Sequence, residues 1–195
     1  MCHRTLLVIL ALVTLQAAMS PAADEERQIG DTVIVTLSGS LAGTGLENAE
    51  LADRNLTALN LRGADAQGVY AAGASLDGGT LVDTNLQTSY LAGANLRDSV
   101  LVGANLQEAD LSGADLRGAD LTGAILQGAN LRGALLEGAK LEGALLQGAS
   151  FSGAHGLTQT QLEDACGDRT IGLHGTGLAF PRHRQCCDEP GGCTD

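Results

Sequence analysis

Cysteine and histidine are the residue types in this chain best suited to covalent or metal chemistry, and most of them lie near its C-terminal end. Four of the five cysteines fall within the last 30 residues: Cys166, Cys186, Cys187 and Cys193. An even number of clustered cysteines is typical of disulfide bonds in an exported protein. A bond between the two adjacent cysteines would be strained. We therefore expect Cys166 to pair with one of them and Cys193 with the other. A zinc site formed by these thiols with His174 or His183 is the alternative, but no paired CxxC motif supports it.

Carboxylates are the other residues that could do chemistry, as a general acid and a general base. Asp110, Asp115 and Asp120 recur every five residues, each just before a leucine. If the chain turns after every five residues, the three carboxylates would lie on different sides of the molecule, as solvated surface charges. The four histidines are scattered, no serine lies in a GxSxG motif, and no phosphate-binding glycine loop precedes a helix. We therefore predict no enzymatic activity, no catalytic residue, no cofactor and no metal.

A five-residue period positions the three aspartates. Residues 44–153 read as 22 consecutive five-residue units, here called pentads, with Leu or Phe at the centre of 20 of them. Ala66 and Ala71 are the exceptions. From Ala104 onward the residue two before the centre is always Ala, and from Gly113 onward the residue two after the centre is always Gly. A short strict period predicts a solenoid, because one unit cannot bury its apolar face without its neighbours.

The pentads are clearest at residues 104–124, which read ANLQEADLSGADLRGADLTGA. They resemble the units of the pentapeptide-repeat family, which read approximately A(D/N)LxG. The resemblance implies an all-β fold, a right-handed square (quadrilateral) β-helix with four pentads in each coil. The central Leu and the residue two before it would point into the lumen, and residues 20 apart would stack in columns. A glycine after the centre would tolerate the backbone of the corner.

The first 23 residues differ in character from the array. A short basic start is followed by an uncharged aliphatic run at residues 5–18 and then by Ser20-Pro21-Ala22. This order is that of a secretory signal peptide, with cleavage near Ala22 to Asp24. A retained membrane anchor is the alternative, but the apolar run is short for a spanning helix, which needs about 20 residues. We expect an exported protein, periplasmic or secreted, with no membrane segment in its mature form.

Two shorter segments, residues 24–43 and 157–195, should cover the ends of a β-helix assigned to residues 44–156. Residues 31–37 alternate and are β-branched, which predicts a strand that pairs with the first coil. Residues 158–165 predict a short helix in which Thr158 and Gln161 form a capping box. Its apolar residues, Leu157, Leu162 and Ala165, would lie over the last coil. This segment is similar to the tail that often follows pentapeptide arrays, and it places Cys166 at the start of a disulfide-bonded loop.

Departures from Asn or Asp just before the pentad centre mark a candidate contact surface. Tyr70 and Tyr90 are 20 residues apart and should stack on one outer face. Ile125 and Leu145 should do the same on a neighbouring face, and Leu135 should be exposed on the face opposite Ile125. Tolerated surface aliphatics are the simpler interpretation. A contact patch for a protein partner or a second copy of the chain is the functional one.

Charge and the family resemblance leave two functional hypotheses. The formal net charge of −12 disfavours direct binding to nucleic acid or to anionic lipid. The first hypothesis is an exported, non-enzymatic structural or protein-interaction module whose partner the sequence does not name; a homodimer is compatible with it. The second follows from the resemblance, because some cytoplasmic members are acidic dimeric rods that imitate duplex DNA and protect DNA gyrase. The array carries 13 Asp or Glu against six Lys or Arg, which fits in sign. The signal peptide argues against it, because gyrase is cytoplasmic.

Overall fold

The computed structural model describes the backbone of residues 25–29 and 32–36, and the backbone and side chains of residues 39–167 and 172–179. The predicted signal peptide at residues 1–23 lies outside the described residues, as do Cys186, Cys187 and Cys193. No helix within the described ranges is long and apolar enough to cross a membrane.

Each pentad makes a corner because a β-turn follows its central residue. In the pentad of Leu106, the backbone N–H of Ala109 donates to the Leu106 carbonyl at 3.1 Å. Glu108, inside this turn, has a φ of 57°. A positive φ at this place is what a type II turn requires. In most other pentads a glycine takes the same place, with φ between 62° and 72°, which confirms the expected role of the glycine.

Four corners bring the chain back to the same side, so residues 20 apart pair in parallel. The N–H of Asn105 donates to the Thr84 carbonyl at 2.9 Å, and the N–H of Leu106 donates to the Ile125 carbonyl at 2.7 Å. Parallel bridges of this kind run in four columns from Ser40 to His155. The molecule is therefore a right-handed square β-helix, and the predicted fold class is confirmed.

The lumen is filled by the central residue of each pentad and by the residue two before it. Every central residue from Leu56 to Phe151 is buried, including the small Ala66 and Ala71. A fully buried leucine contributes about 1.5–3 kcal/mol, so the stacked columns of leucine supply most of the folding energy. The first coil is looser, since Leu51 and Arg54 are only half-buried.

The N-terminal end of the rod holds more regular structure than the sequence predicted. Leu41 is fully buried and Ser40 pairs with Asn60, so one additional unit precedes the pentad that starts at Thr44. Strands β1 (Glu25–Ile29) and β2 (Thr32–Thr36) form an antiparallel pair. The strand predicted at residues 31–37 thus exists, but its described partner is β1 and not the first coil. Gly30-Asp31, a dipeptide typical of two-residue hairpin loops, separates the two strands in sequence.

Helix α1 (Gln159–Asp164) replaces one side of the last coil. The Thr158 hydroxyl accepts from the Gln161 N–H, and the Gln161 side chain accepts from the Thr158 N–H at 2.7 Å, which confirms the capping box. Leu162 and Ala165 are fully buried against the core and Leu157 is partly buried, as predicted. After the helix the chain rejoins the columns of the rod, where Cys166 pairs with Leu145 and Gly172 with Ser150.

Candidate interaction surfaces

The outward side chains form two columns on each side of the rod, one just before and one just after the pentad centres. We name the four sides, in the order in which the chain visits them, the Gln, Tyr, Arg and Val faces. The Gln and Arg faces are opposite each other, as are the Tyr and Val faces. Because the lumen is filled by buried side chains, any function of residues 39–154 must use these columns or the corner residues between them.

The Gln face carries a ladder of amide side chains. The column after its centres consists of Glu47, Gln67, Gln87, Gln107, Gln127 and Gln147, and the column before them of Gly45, Asp65, Asn85, Asn105, Ile125 and Leu145. Amides of successive coils bond to one another: Gln127 donates to Gln147 at 3.3 Å and Asn105 donates to Asn85 at 3.4 Å. The glutamine column of this ladder was not predicted from the sequence. A comparison of residues 20 apart along the sequence would have found it.

The Tyr face is the one with exposed aromatic side chains. The column before its centres consists of Glu50, Tyr70, Tyr90, Asp110, Asn130 and Ser150, and the column after them of Ala52, Ala72, Ala92, Ser112, Arg132 and Ser152. The rings of Tyr70 and Tyr90 are parallel within 3°, and their centroids are 4.7 Å apart. The two residues remain 39% and 48% exposed. This confirms that the two tyrosines stack on one outer face.

The Arg face pairs charges within one pentad. Its columns consist of Asn55, Ser75, Asn95, Asp115, Leu135 and His155 before the centres, and of Thr57, Asp77, Arg97, Arg117 and Glu137 after them. The Arg117 guanidinium donates to both carboxylate oxygens of Asp115, at 2.8 and 2.5 Å. This hydrogen bonding lowers the pKa of Asp115 below its ordinary value.

The Val face combines an aliphatic patch with a second charge pair. Its columns consist of Ser40, Asn60, Thr80, Val100, Asp120 and Lys140 before the centres, and of Ala42, Arg62, Val82, Val102, Thr122 and Glu142 after them. Val100 is 36% exposed. The Lys140 ammonium donates to Asp120 at 2.9 Å. The pKa of Asp120 is lowered, chiefly by the hydrogen bond from the Thr122 hydroxyl and further by Lys140.

The five predicted surface residues do not form one patch. Tyr70 and Tyr90 share the Tyr face, while Ile125 and Leu145 stack on the neighbouring Gln face. Leu135 lies on the Arg face, opposite Ile125. The last three are half-buried, in contrast to the tyrosines, so the exposure expected for Leu135 is only partial. That these five residues contact a partner stays a prediction.

The predicted cysteine site is only partly described. Cys166 extends the Gln-face column beyond Leu145 and takes part in a disulfide bond. Its partner lies outside the described residues, so the pairing with Cys186 or Cys187 stays a prediction. Within residues 39–167 and 172–179, no three His, Cys, Asp or Glu side chains come together as a metal site.

Comparison with known proteins identifies the repeat. A family model described as pentapeptide repeats matches in eight copies, over residues 55–91, 81–118, 89–128 and 129–166. Among solved structures, the chain is similar to a pentapeptide repeat protein from the thylakoid lumen of Arabidopsis thaliana, with 28% identity, a TM-score of 0.47, and coverage of 66% of this chain and 77% of that one. A pentapeptide repeat protein (Rfr23) from the cyanobacterium Cyanothece 51142 is 29% identical, with a TM-score of 0.39 and coverage of 68% and 90%.

A third similar structure is full-length QnrB1, a plasmid-mediated fluoroquinolone resistance protein. It is 15% identical, with a TM-score of 0.29 and coverage of 73% of this chain and 92% of that one. No curated protein matches the chain. The family model alone covers residues 55–166, more than half of the 195 residues. The chain therefore belongs to the pentapeptide-repeat family.

Proposed function

We propose that this chain is an exported, non-enzymatic interaction module, a rigid rod that binds a protein partner through one of its faces. The exposed Tyr70–Tyr90 stack is the observation that carries this proposal. Most pentads place Asn, Asp or another small polar residue just before the centre, whereas these two place a large aromatic side chain that remains 39% and 48% exposed. Tyrosine is enriched at protein interfaces because it offers a large contact area with few rotatable bonds.

The rigidity of the rod supports a binding role. Within a coil every side is tied to the next coil by backbone hydrogen bonds, such as those from Leu91 to Asp110 and from Tyr90 to Val69, both at 2.8 Å. The tyrosines are therefore held in place before any partner arrives. A surface that is already ordered loses little conformational entropy on binding, which favours affinity.

The export part of the proposal rests on the N-terminal sequence. The basic start, the aliphatic run and the small residues before Ala23 have the order of a signal peptide. The cysteines after residue 165 fit an oxidising compartment. The mature protein would then begin near Ala23 or Asp24 and meet its partner outside the cytoplasm.

The distribution and density of charge on the array do not favour the hypothesis that the protein imitates DNA. Acidic residues of the array are spread over all four faces, three or four on each. Three of the aspartates are in ion pairs with a basic side chain: Arg62–Asp83, Arg117–Asp115 and Lys140–Asp120. Duplex DNA carries one charge in about 1.7 Å, or roughly 15 charges over a rod of about 26 Å. The array has a net charge of −7, from 13 acidic and six basic residues. It therefore has about half the charge density of a duplex, and a DNA-handling enzyme such as gyrase is not the partner we propose.

Site-specific photocrosslinking tests the binding role. Positions 92, 97, 102 and 107 follow four successive pentad centres, so together they sample the Tyr, Arg, Val and Gln faces of a single coil. A photoreactive residue is placed at one of them at a time in the full-length chain, expressed in its own host. We expect one adduct of defined mass, formed from one face in several-fold higher yield than from the opposite face. The four variants control for one another because they share the coil, the place in the pentad and the reagent.

Processing tests the export role in the same cells. The intact mass of the protein should correspond to a chain that begins near Ala23 or Asp24, recovered outside the cytoplasm. Equal or absent crosslinking from all four faces would contradict the binding role. A cytoplasmic chain that retains Met1 would contradict export and would bring back the hypothesis of a DNA mimic.

A further inference from the structure

The Tyr90 ring and the Asp110 carboxylate are neighbours in one column of the Tyr face, one coil apart. The ring centroids of Tyr70 and Tyr90 are 4.7 Å apart and the rings are parallel, so Tyr70 can cover only one face of the Tyr90 ring and the stack leaves the other face uncovered. Tyr70 has Glu50 as its other neighbour in the column, whereas Tyr90 has the shorter Asp110. The greater exposure of Tyr90, 48% against 39%, agrees with this difference.

Asp110 is oriented but not neutralised. Its Oδ1 accepts from the Ser112 N–H at 3.0 Å and from the Asn130 side chain at 2.9 Å. Its Oδ2 has no bond to any described residue, and Asp110 belongs to none of the three ion pairs found in the described part of the chain. The next two aspartates along the chain, Asp115 and Asp120, are both paired with a cation. Asp110 therefore offers a fixed carboxylate oxygen beside an aromatic ring.

The surroundings leave room for a side chain to approach. The column beside the tyrosines consists of alanines at this level, Ala72 and Ala92, which do not reach over the rings. Glu50 and Asp53 add negative charge at the N-terminal end of the same face. Arg132 is the one basic residue in the two described columns of this face, and it forms no ion pair with a described residue. A planar cation is attracted to such a site, which combines an exposed aromatic ring, an accessible carboxylate oxygen and a negative electrostatic potential.

We propose that Tyr90 and Asp110 form a cradle for an arginine side chain of the protein partner. The guanidinium would stack on the uncovered part of the Tyr90 ring and donate to Asp110 Oδ2. Arginine fits better than lysine because its planar group can stack on a ring and bond to a carboxylate at the same time. This inference rests on the proposed binding role, since it names the chemistry by which the partner is recognised on the Tyr face.

The chain carries its own reporter for this cradle. It has two tyrosines, both in the stack, and no tryptophan, so intrinsic tyrosine fluorescence reports on this surface alone. The probe is the blocked tripeptide acetyl-Gly-Arg-Gly-amide, titrated at low salt into the oxidised mature protein. The matched probe contains citrulline, which has the shape of arginine without its charge. We expect saturable binding of the arginine peptide, at least about fivefold tighter than that of the citrulline peptide.

Two variants locate the binding. Asp110→Asn keeps an acceptor for Ser112 and is expected to weaken binding of the arginine peptide about twofold to fivefold, the range of an exposed ion pair. Tyr90→Leu leaves Tyr70 as the reporter and is expected to have an effect of similar size. Asp115→Asn is the matched control, because it removes the same charge from the neighbouring Arg face. It should leave the affinity unchanged, and thermal unfolding confirms that all three variants are folded.

Several outcomes would overturn the cradle. Equal affinity for the arginine and citrulline peptides would do so, and so would an equal loss of affinity in Asp110→Asn and Asp115→Asn. A dimer in sedimentation experiments that Arg132→Gln abolishes would assign the arginine to a second copy of the chain, against the proposal of a separate partner. Failure of the peptide to bind leaves the face-selective crosslinks of the binding role intact, so the two proposals fail separately.

Discussion

The Gln161 side-chain amide donates to the Ala139 carbonyl at 2.6 Å, joining helix α1 to the last coil of the rod. The same amide nitrogen donates to the Leu136 carbonyl at 3.1 Å. The oxygen of this side chain completes the capping box of α1. One glutamine therefore satisfies backbone groups of the helix and of the coil beneath it, at the place where the pentad pattern stops.

Replacing this glutamine should loosen the C-terminal cap. Gln161→Ala removes the acceptor for the Thr158 N–H and the donor to two carbonyls, so we expect the free energy of unfolding to fall by about 1–2 kcal/mol. Equilibrium unfolding in denaturant measures it. Glu163→Ala, an exposed position on the same helix, is the control and should change stability by less than about 0.5 kcal/mol. An equal effect of the two substitutions would show that Gln161 does not anchor the helix.

The capping box and the buried leucines were predictable from sequence because they depend on short spacings. Thr158 and Gln161 are three residues apart, and the turn geometry of a helix start fixes their contact. The inward position of Leu116 follows from its place in the pentad once the square coil is assumed. Both signals are local, so one chain is enough to read them.

Features that depend on which distant residues a segment packs against were not predictable in the same way. Alternation of β-branched residues identifies β2 as a strand but does not say that it pairs with β1, since either partner would satisfy its backbone. The exposure of an aliphatic residue depends on its column neighbours one coil away. Leu135, for example, pairs with Asp115 on one side and His155 on the other, and it ends half-buried. The sequence gives the column but not how far neighbouring side chains extend over it.

A buried hydroxyl inside the rod offers a stabilising substitution. Ser89 is 1% exposed, and its hydroxyl has no hydrogen-bond partner in the part of the chain that the structure describes. A buried polar group without a partner is unfavourable, so Ser89→Ala should raise the free energy of unfolding by about 1 kcal/mol. The equivalent position is Val69 one coil earlier and Ala109 one coil later, so an apolar side chain is accommodated there.

Ser99→Ala is the matched control for this substitution. Ser99 has the same place in its pentad and is equally buried, but its hydroxyl donates to the Leu96 carbonyl at 2.7 Å. Its replacement should therefore be neutral or destabilising by up to about 1 kcal/mol. Thermal and denaturant unfolding of the two variants give the comparison. A Ser89→Ala protein no more stable than the parent would mean that this hydroxyl is satisfied in solution.

A strained corner offers a second stabilising substitution. Thr88 occupies the corner position with φ 55°, where a β-branched residue is a clear outlier. A left-handed conformation costs an ordinary residue roughly 1–2 kcal/mol, and glycine avoids most of that cost while losing more entropy on folding. We expect Thr88→Gly to raise the free energy of unfolding by about 0.5–1 kcal/mol. Asn48→Gly is the control, because Asn at φ 56° tolerates this conformation and should gain less.

Acid should weaken the rod through its two paired aspartates. Hydrogen bonds from Arg117 and from Thr122 with Lys140 lower the pKa of Asp115 and Asp120 in the folded chain. At pH values above the unfolded pKa, about 3.9, both are ionised and the stabilisation is fully present. It is lost as the pH falls through the lower folded pKa, because the unfolded chain takes up its protons first. The pairs lie at the surface, so we expect each to contribute on the order of 0.5 kcal/mol.

Arg117→Gln separates the effect of the Asp115 pair from general acid denaturation. The pKa of the Asp115 carboxyl, followed by NMR, should lie below its ordinary value in the parent and return towards it in the variant. The stability difference between parent and variant should be largest near neutral pH and should shrink as the pH falls below about 4, where the unfolded chain takes up the Asp115 proton before the folded chain does. It should also shrink in concentrated salt, because the pair is partly exposed. A difference that is the same at every pH would show that Arg117 stabilises the rod by packing and not through the carboxylate.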